Sequence, residues 1–167
     1  MGKRSAFPRK ARDLYPSPYS VVPALIPHLG IKRFAEPCAG HGDLVRHLES
    51  FGLECIYRDD ISTGADALAR RSYGSGEYVI ITNPPHTRNL MHQLIEHFQA
   101  IAPVWLLIDL DWVANKQAVP YLRHCSDVVI IGRVKWIPDS PYTGKENYSW
   151  IRFDAGYHGL TRLHNQR

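Results

Sequence analysis

The sequence has few cysteines and no long apolar run, and both absences narrow the classes of protein that it can encode. Its three cysteines, Cys38, Cys55 and Cys125, lie far apart and form no Cys-x-x-Cys pair, so they predict neither a disulfide framework nor a zinc site. Nine histidines are scattered without the spacing of metal ligands, and we expect no metal site. No apolar run approaches the roughly 20 residues of a membrane-spanning helix, and the first residues lack the apolar region of a signal peptide. These absences predict a protein of the reducing cytoplasm that does not bind membranes.

The net charge is also small, and much of the positive charge lies near the two ends. Of 167 residues, 44% are hydrophobic and 22% are charged, and the net charge is +4, which is typical of one globular domain with a mild preference for polyanions. The terminal basic residues are Lys3, Arg4, Arg9, Lys10, Arg12, Arg162 and Arg167. Such tails are either solvated or in contact with phosphates. We therefore divide the chain into a flexible basic tail at 1–12, a single domain at 13–154 and an irregular polar tail at 155–167.

Apolar runs typical of strands alternate with segments of helical periodicity through the domain. The predicted strands are 33–38, 53–57, 77–82, 104–110, 127–131, 135–137 and 148–153. The last two flank a Pro/Gly-rich connection and predict a hairpin that closes the sheet. Upstream, Ser17 can cap a helix over 19–29 with Pro18 at its first position, although Pro23 and Pro27 make this helix imperfect. The alternation predicts a three-layer α/β/α fold with a mostly parallel sheet.

A turn of small residues follows the first predicted strand, in the stretch Glu36-Pro37-Cys38-Ala39-Gly40-His41-Gly42-Asp43. A strand, a glycine turn and a helix in succession let the backbone approach a ligand closely. The turn lacks the third glycine of a dinucleotide-binding motif and the Gly-Lys-Ser/Thr of a phosphate-binding loop. The acidic Glu36 also disfavours an anionic ligand. The turn therefore indicates a cationic ligand, such as a sulfonium with an amino-acid tail.

A second loop, Thr82-Asn83-Pro84-Pro85-His86, follows the strand predicted at 77–82. The two prolines remove N–H donors and bias Asn83 towards an extended backbone. The loop therefore holds the Asn83 carboxamide, the Pro84 carbonyl and the His86 ring in defined places, which suits the binding of a planar amine or amide. A proline turn that merely closes a strand is the alternative. Both loops follow the carboxyl ends of strands, where open α/β sheets bind their ligands.

Three aspartates between these loops are candidate residues for binding a nucleoside. Asp60, or its neighbour Asp59, follows the second predicted strand, where a carboxylate can accept hydrogen bonds from both ribose hydroxyls. Asp66 can accept a hydrogen bond from an adenine amino group. Alternatively, Asp59 and Asp60 are solvated turn residues and Asp66 caps a helix.

Together these motifs resemble the class I S-adenosylmethionine-dependent methyltransferases, and within them the DNA methyltransferases that act on amino groups. The residues that carry the resemblance are Tyr15-Pro16-Ser17-Pro18, Glu36-Pro37-Cys38-Ala39-Gly40-His41-Gly42, Asp60-Ile61, Asp66 and Asn83-Pro84-Pro85-His86. Their order is similar to that of the adenine-N6 group, including small phage and bacterial members, and it spans about 13–153. The resemblance implies a Rossmann-like fold, the cofactor S-adenosylmethionine and methylation of adenine N6 in DNA.

The resemblance also implies a role for each matching residue. The implied cofactor-binding residues are Tyr15, Ser17, Pro18, Glu36, Pro37, Cys38, Ala39, Gly40, Gly42, Asp59, Asp60, Ile61, Asp66 and Asn83. The implied catalytic residues are Asn83, Pro84, Pro85 and His86. In this scheme Glu36, with Ser17 or Tyr15, lies near the cofactor amino group. Asn83 and the Pro84 carbonyl accept hydrogen bonds from the target amine.

Two departures from the family bear on the substrate. His86 stands where the family has a larger aromatic residue that stacks on a base flipped out of the duplex. The chain also has no length for a separate target-recognition domain, so short loops at 87–89 and 140–147, the basic tails, a homodimer or a partner chain would supply recognition. The alternatives are methylation of RNA or of a protein glutamine amide, and a non-catalytic subunit that binds nucleic acid or a partner.

Overall fold

A computed structural model of the chain describes residues 16–165. Seven strands in this range form one sheet with the order β2-β1-β3-β4-β6-β5-β7. The strands are β1 Arg33–Glu36, β2 Glu54–Arg58, β3 Val79–Thr82, β4 Val104–Asp109, β5 Cys125–Arg133, β6 Asn147–Phe153 and β7 Arg162–His164. β6 is antiparallel to β4 and β5, and the other neighbouring pairs are parallel. The predicted mostly parallel sheet with an antiparallel hairpin strand is confirmed.

Helices cover both faces of the sheet because side chains alternate along the strands. The α-helices are α1 Asp43–Glu49, α2 Arg88–Ile101 and α3 Val119–Leu122, and short 3-10 helices occupy Tyr19–Val21, Ile26–His28, Ile61–Thr63, Ala67–Ala69, Leu110–Ala114 and Lys116–Ala118. On one face, strand residues such as Ile80 and Leu106 pack against α2. On the other, Ile81 and Trp105 pack against α1 and the segment around Val21. The result is the predicted three-layer arrangement.

The segment before β1 is not the helix that its apolar spacing predicts. It forms two 3-10 turns, Tyr19–Val21 and Ile26–His28, because Pro23 and Pro27 cannot donate the backbone hydrogen bonds that a continuous helix requires. Pro18 occupies the cap position, and no side chain caps the turn. The expected capping role of Ser17 is therefore wrong.

The end of the chain also differs from the prediction. The hairpin partner of β6 is β5 itself, and residues 135–137 lie in the connecting loop rather than in a strand. Arg162–His164 forms the edge strand β7, so the predicted irregular tail at 155–167 is wrong for these residues. Asp127 of β5 holds this segment beside the sheet, since its carboxylate accepts two hydrogen bonds from Arg162 at 2.8 and 3.0 Å.

Within residues 16–165, no helix combines the length and the apolar character that crossing a bilayer requires. The proposed basic tail at 1–12 and the candidate cofactor-binding residue Tyr15 lie outside the described residues.

Candidate active site

A cavity opens at the carboxyl ends of β1, β2 and β3. β1 lies between the other two strands, so the residues that follow these strands meet at one edge of the sheet. The lining residues are Pro16, Ser17, Glu36, Pro37, Cys38, Ala39, Gly40, His41, Asp43, Leu44, Asp60, Ile61, Ala65, Asp66, Ala67, Leu68, Asn83, Pro84, Pro85, Leu90 and Leu94. The cavity volume is about 180 Å³, whereas one water needs about 10–15 Å³ on the same measure. The cavity can therefore admit a ligand.

Glu36, the last residue of β1, is a buried acid with unfilled hydrogen-bonding capacity. Its side chain is 1% exposed. Oε1 accepts the Cys38 N–H at 3.2 Å, but Oε2 is buried and has no hydrogen-bond partner among the described residues. Burial is the main cause that raises the pKa of Glu36 to about 8, and the nearby Thr82 hydroxyl and the Cys38 N–H oppose the rise. The Thr82 hydroxyl is not within hydrogen-bonding geometry of Oε2. A cationic ligand that reached Oε2 would favour the ionised carboxylate.

The glycine turn is shaped by hydrogen bonds to Asp60 and by two residues in the left-handed region. Gly40 and Gly42 have φ values of 51° and 78°, which glycine adopts without the steric cost of a Cβ. The Gly40 N–H donates to Asp60 Oδ2 at 3.0 Å, and the Ser62 N–H donates to Asp60 Oδ1 at 2.8 Å. Asp60 therefore ties the turn after β1 to the turn after β2 while it lines the cavity.

Burial alone raises the pKa of Asp60, but the hydrogen bonds from Ser62 and Gly40 outweigh burial and hold the pKa below its ordinary value. The carboxylate is therefore ionised at neutral pH. Each oxygen keeps a lone pair for a further donor such as a ribose hydroxyl.

Ile61 and Asp66 border the side of the cavity next to β2. Ile61 lines the cavity and is 59% exposed, so its apolar surface is open to a ligand. Asp66 caps the short helix Ala67–Ala69, where its Oδ1 accepts the Leu68 N–H at 2.9 Å. The apolar surface of Ile61 and the free capacity of the Asp66 carboxylate suit a flat heterocycle with an amino group.

Asn83 follows β3 and lies at the other side of the cavity. Its Nδ2 donates to Ser17 Oγ at 3.1 Å, and its Oδ1 is buried without a hydrogen-bond partner in the described part of the chain. Pro84 and Pro85 continue the cavity wall. A buried acceptor without a donor costs roughly 1–3 kcal/mol, so an N–H group that reached Oδ1 would recover this free energy.

His86 does not line the cavity but packs on the aromatic residues beside it. Its ring centroid lies 5.7 Å from that of Tyr148 at an interplanar angle of 79°, and Tyr148 in turn contacts Trp136 at 4.8 Å. Tyr148 pairs with Asp109 at the carboxyl end of β4. This group of rings therefore stands at the same edge of the sheet as Asn83.

The structure places twelve of the sequence-predicted residues on the cavity and four away from it. The twelve are Ser17, Glu36, Pro37, Cys38, Ala39, Gly40, Asp60, Ile61, Asp66, Asn83, Pro84 and Pro85, and the four are Pro18, Gly42, Asp59 and His86. Gly42 and Asp59 line an adjoining depression on the outer side of the glycine turn. Asp59 Oδ1 accepts from the Thr63 hydroxyl and the Asp60 N–H. Because Asp60 lines the cavity and Asp59 does not, Asp60 is the better placed of the two candidates.

The sequence interpretation assigned no role to nine residues of the cavity wall, although Pro16 and His41 lie within its motifs. They are Pro16, His41, Asp43, Leu44, Ala65, Ala67, Leu68, Leu90 and Leu94. Most adjoin a predicted motif in the chain. Leu90 and Leu94 belong to one face of α2, where helical spacing marks them as core residues without showing that they border a ligand site. No group of three His, Cys, Asp or Glu side chains among residues 16–165 could hold a metal ion.

Solved structures show what this fold is similar to. A dimethyladenosine transferase from Plasmodium falciparum is 16% identical, over 84% of this chain and 62% of that one, with a TM-score of 0.50. A protein assigned as an RNA methyltransferase from Pyrococcus horikoshii is 15% identical over 91% of both chains, with a TM-score of 0.56. A protein from Listeria monocytogenes, assigned as a class I S-adenosylmethionine-dependent methyltransferase, is 10% identical over 88% and 62%, with a TM-score of 0.51.

Other comparisons add no finer assignment. No protein-family model matches the chain, and no curated protein matches it. The chain spans 62% of the length of the first and third of these structural neighbours. At these identities the similarity establishes the fold, which is the Rossmann-like fold of class I S-adenosylmethionine-dependent methyltransferases.

Proposed function

We propose that the protein is an S-adenosylmethionine-dependent N-methyltransferase that acts on an exocyclic amino group of a nucleic-acid base. One observation carries the proposal. Two buried oxygens, Glu36 Oε2 and Asn83 Oδ1, lack hydrogen-bond partners among the described residues and belong to side chains that line one cavity. One oxygen belongs to an acid and suits a cation, whereas the other belongs to an amide and suits a neutral N–H donor.

The residues around the cavity fit S-adenosylmethionine. Glu36 supplies the acceptor for an amino group, and the Ala39–Gly40 backbone offers a close approach for an amino-acid tail. Asp60 can accept from a ribose, and Ile61 with Asp66 can hold an adenine. When bound, the cofactor supplies an electrophilic methyl group on a sulfonium.

Asn83 and Pro84 would hold the amine that is methylated. The Asn83 Oδ1 and the Pro84 carbonyl each accept one N–H of the amine. The nitrogen is therefore held in one orientation, and its lone pair makes no hydrogen bond. Acceptance of both N–H bonds also raises the electron density on the nitrogen. No protein group needs to remove a proton before the methyl transfer, since the product can lose it afterwards. Catalysis then consists of positioning and electrostatics.

Adenine N6 in DNA is the substrate that the motif order supports. Asn83-Pro84-Pro85-His86 at the end of β3 is similar to the adenine-N6 group, and the half-buried His86 stands beside Tyr148 and Trp136 at the same edge. Adenine in RNA is the second candidate, because two of the structural neighbours are named for activity on adenosine or on RNA. A protein glutamine amide and a non-catalytic subunit are the further alternatives.

The test is transfer of a labelled methyl group from S-adenosylmethionine to unmethylated duplex DNA, single-stranded DNA, RNA and a protein lysate, with the product identified by mass spectrometry. Asn83→Ala removes the proposed acceptor and should lower the rate about 100-fold, as does loss of one preorganised hydrogen-bonding group in other enzymes. Asn165→Ala, an exposed asparagine beyond β7, is the matched control and should retain full activity.

Each possible result distinguishes the proposed function from one of its alternatives. N6-methyladenine in DNA that is lost in the Asn83 variant supports the proposal. Label confined to RNA or protein keeps the N-methyltransferase assignment and replaces the substrate. Absence of transfer to every substrate, with no heat of cofactor binding by calorimetry, overturns the enzyme proposal and leaves the non-catalytic subunit.

A further inference from the structure

Ser17 makes a contact that neither its position in the chain nor the expected cofactor role explains. Its side chain is 6% exposed, and its Oγ accepts the Asn83 Nδ2–H at 3.1 Å across 66 residues of sequence. The contact joins the segment before β1 to the loop after β3. Ser17 thus touches the proposed acceptor of the target amine.

The segment that carries Ser17 is held firmly against the sheet. Four residues downstream, the Val21 carbonyl accepts the Trp150 Nε1–H at 2.7 Å in a buried hydrogen bond. Val21 and Val22 are fully buried, and the Val21 N–H donates to the Pro18 carbonyl at 3.2 Å. Prolines at 16 and 18 restrict the backbone on both sides of Ser17. A rigid segment therefore holds the Ser17 hydroxyl next to Asn83.

In the structure this contact is made by one of the two orientations of the carboxamide, the one in which Nδ2 faces the Ser17 hydroxyl. The terminal torsion of asparagine is broad and roughly two-fold, so the side chain can present either its oxygen or its NH₂ group to a ligand. Only the oxygen can accept a hydrogen bond from an amine. With Nδ2 held by Ser17, Oδ1 is left as the buried acceptor without a partner in the described chain.

We propose that Ser17 is a positioning residue that orients the Asn83 carboxamide for the target amine. It acts through Asn83 and is not itself an acceptor of the substrate. The sequence interpretation placed Ser17 beside the cofactor amino group instead. The proposal rests on the proposed function, because an orientation of Asn83 matters only if its oxygen binds the amine.

The experiment compares Ser17→Ala, Ser17→Thr, Asn83→Ala and the Ser17→Ala/Asn83→Ala double variant. Ser17→Ala should lower kcat about tenfold, as expected for one hydrogen bond, while the Kd for S-adenosylmethionine by calorimetry changes less than threefold. Ser17→Thr keeps the hydroxyl and should restore kcat. The double variant should be no slower than Asn83→Ala alone, since Ser17 has no role once Asn83 is absent. Ser20→Ala, an exposed serine of the same segment, should be unchanged.

A second readout needs neither cofactor nor substrate. Hydrogen exchange of the Asn83 side-chain NH₂, followed by NMR in the free protein, should accelerate about tenfold in Ser17→Ala and remain unchanged in Ser20→Ala. If Ser17→Ala lowers Tm, Ser17→Cys provides the same test, because a thiol is a weak acceptor of similar size.

Two results would overturn the positioning role. A rate loss in the double variant that equals the product of the single losses would show that Ser17 acts independently of Asn83. A loss of cofactor affinity with unchanged kcat would return Ser17 to the cofactor site. Full activity of Asn83→Ala, by contrast, would overturn the proposed function itself, so the two failures are distinguishable.

Discussion

Two buried carboxylates stand at the ends of adjacent strands, Glu36 after β1 and Asp60 after β2, and their surroundings differ. Both oxygens of Asp60 accept backbone N–H groups, at 2.8 and 3.0 Å. Glu36 accepts one, at 3.2 Å, and its second oxygen has no partner in the described residues. Accordingly, the pKa of Asp60 lies below its ordinary value, whereas burial raises the pKa of Glu36 to about 8.

The difference separates a carboxylate whose two oxygens already stabilise a loop, Asp60, from an acid with one oxygen left entirely to a ligand, Glu36. Asp60 contributes to the shape of the glycine turn whether or not the cavity is filled. The charge of Glu36 is unfavourable in the free protein and becomes favourable only when a cation is bound. Substitution of Glu36 should therefore relieve an unfavourable charge in the free protein, whereas substitution of Asp60 should remove hydrogen bonds that stabilise it.

The largest expected effect is on cofactor affinity in Glu36→Gln. The change removes the charge that pairs with the amino group of the ligand while it keeps the size and the acceptor for the Cys38 N–H. We expect the Kd for S-adenosylmethionine to rise about 100-fold, the size of a lost hydrogen bond to a charged group, as measured by calorimetry. Glu49→Gln, an exposed acid on α1, is the control. An unchanged Kd would show that Glu36 is only a structural acid.

The same substitution should stabilise the free protein, by an amount that depends on pH. Because the folded-state pKa of Glu36 is raised from 4.5 to about 8, the folded state binds more protons than the unfolded state between these values. The free energy of unfolding of the native sequence therefore falls as the pH rises through this window. Glu36→Gln lacks this titration.

Thermal melting from pH 4 to pH 9 measures this effect. The Tm values of the two proteins should nearly coincide at pH 4, separate as the pH rises, and differ by several degrees at pH 8 in favour of Glu36→Gln. A difference that stays constant with pH would show that the titration of Glu36 is not responsible.

A smaller effect on stability is expected for Asp60→Asn. A carboxamide has one acceptor oxygen, so one of the two backbone N–H groups would face an NH₂. We expect the free energy of unfolding at pH 7 to fall by about 1–2 kcal/mol, which is a few degrees in Tm for a chain of this length. Since the folded-state pKa of Asp60 is lowered, its contribution is present above the ordinary value of 3.8 and is lost as the pH falls through the folded-state pKa.

Asp66→Asn is the matched control for this prediction. Asp66 also caps a short 3-10 helix, but its side chain is exposed and accepts one backbone hydrogen bond, which the asparagine oxygen can replace. Denaturant titration should give a change within about 0.5 kcal/mol. If Asp66→Asn lowered the free energy of unfolding as much as Asp60→Asn, the structural role of the buried Asp60 would not differ from that of the exposed Asp66.

Much of the sheet was predictable because its signals are local. The apolar run before Asn83 and the two prolines after it define a buried strand and its end within eight residues. The same reasoning failed before β1, where helical spacing of apolar residues competed with Pro23 and Pro27 and the prolines prevailed. It also failed at β7. This three-residue edge strand is held by Asp127, which lies 35 residues before Arg162 in the chain.

The sequence by itself determined the alternation of strands and helices, the two ligand loops and the chemical character of each loop, because these depend on residue type and near neighbours. Only the tertiary structure decided which carboxylate is satisfied by its own backbone, which oxygens are left without partners, and that Ser17 meets Asn83 rather than capping a helix. Those properties depend on burial and on distances between segments far apart in the chain, and these are set when the sheet brings β1, β2 and β3 together.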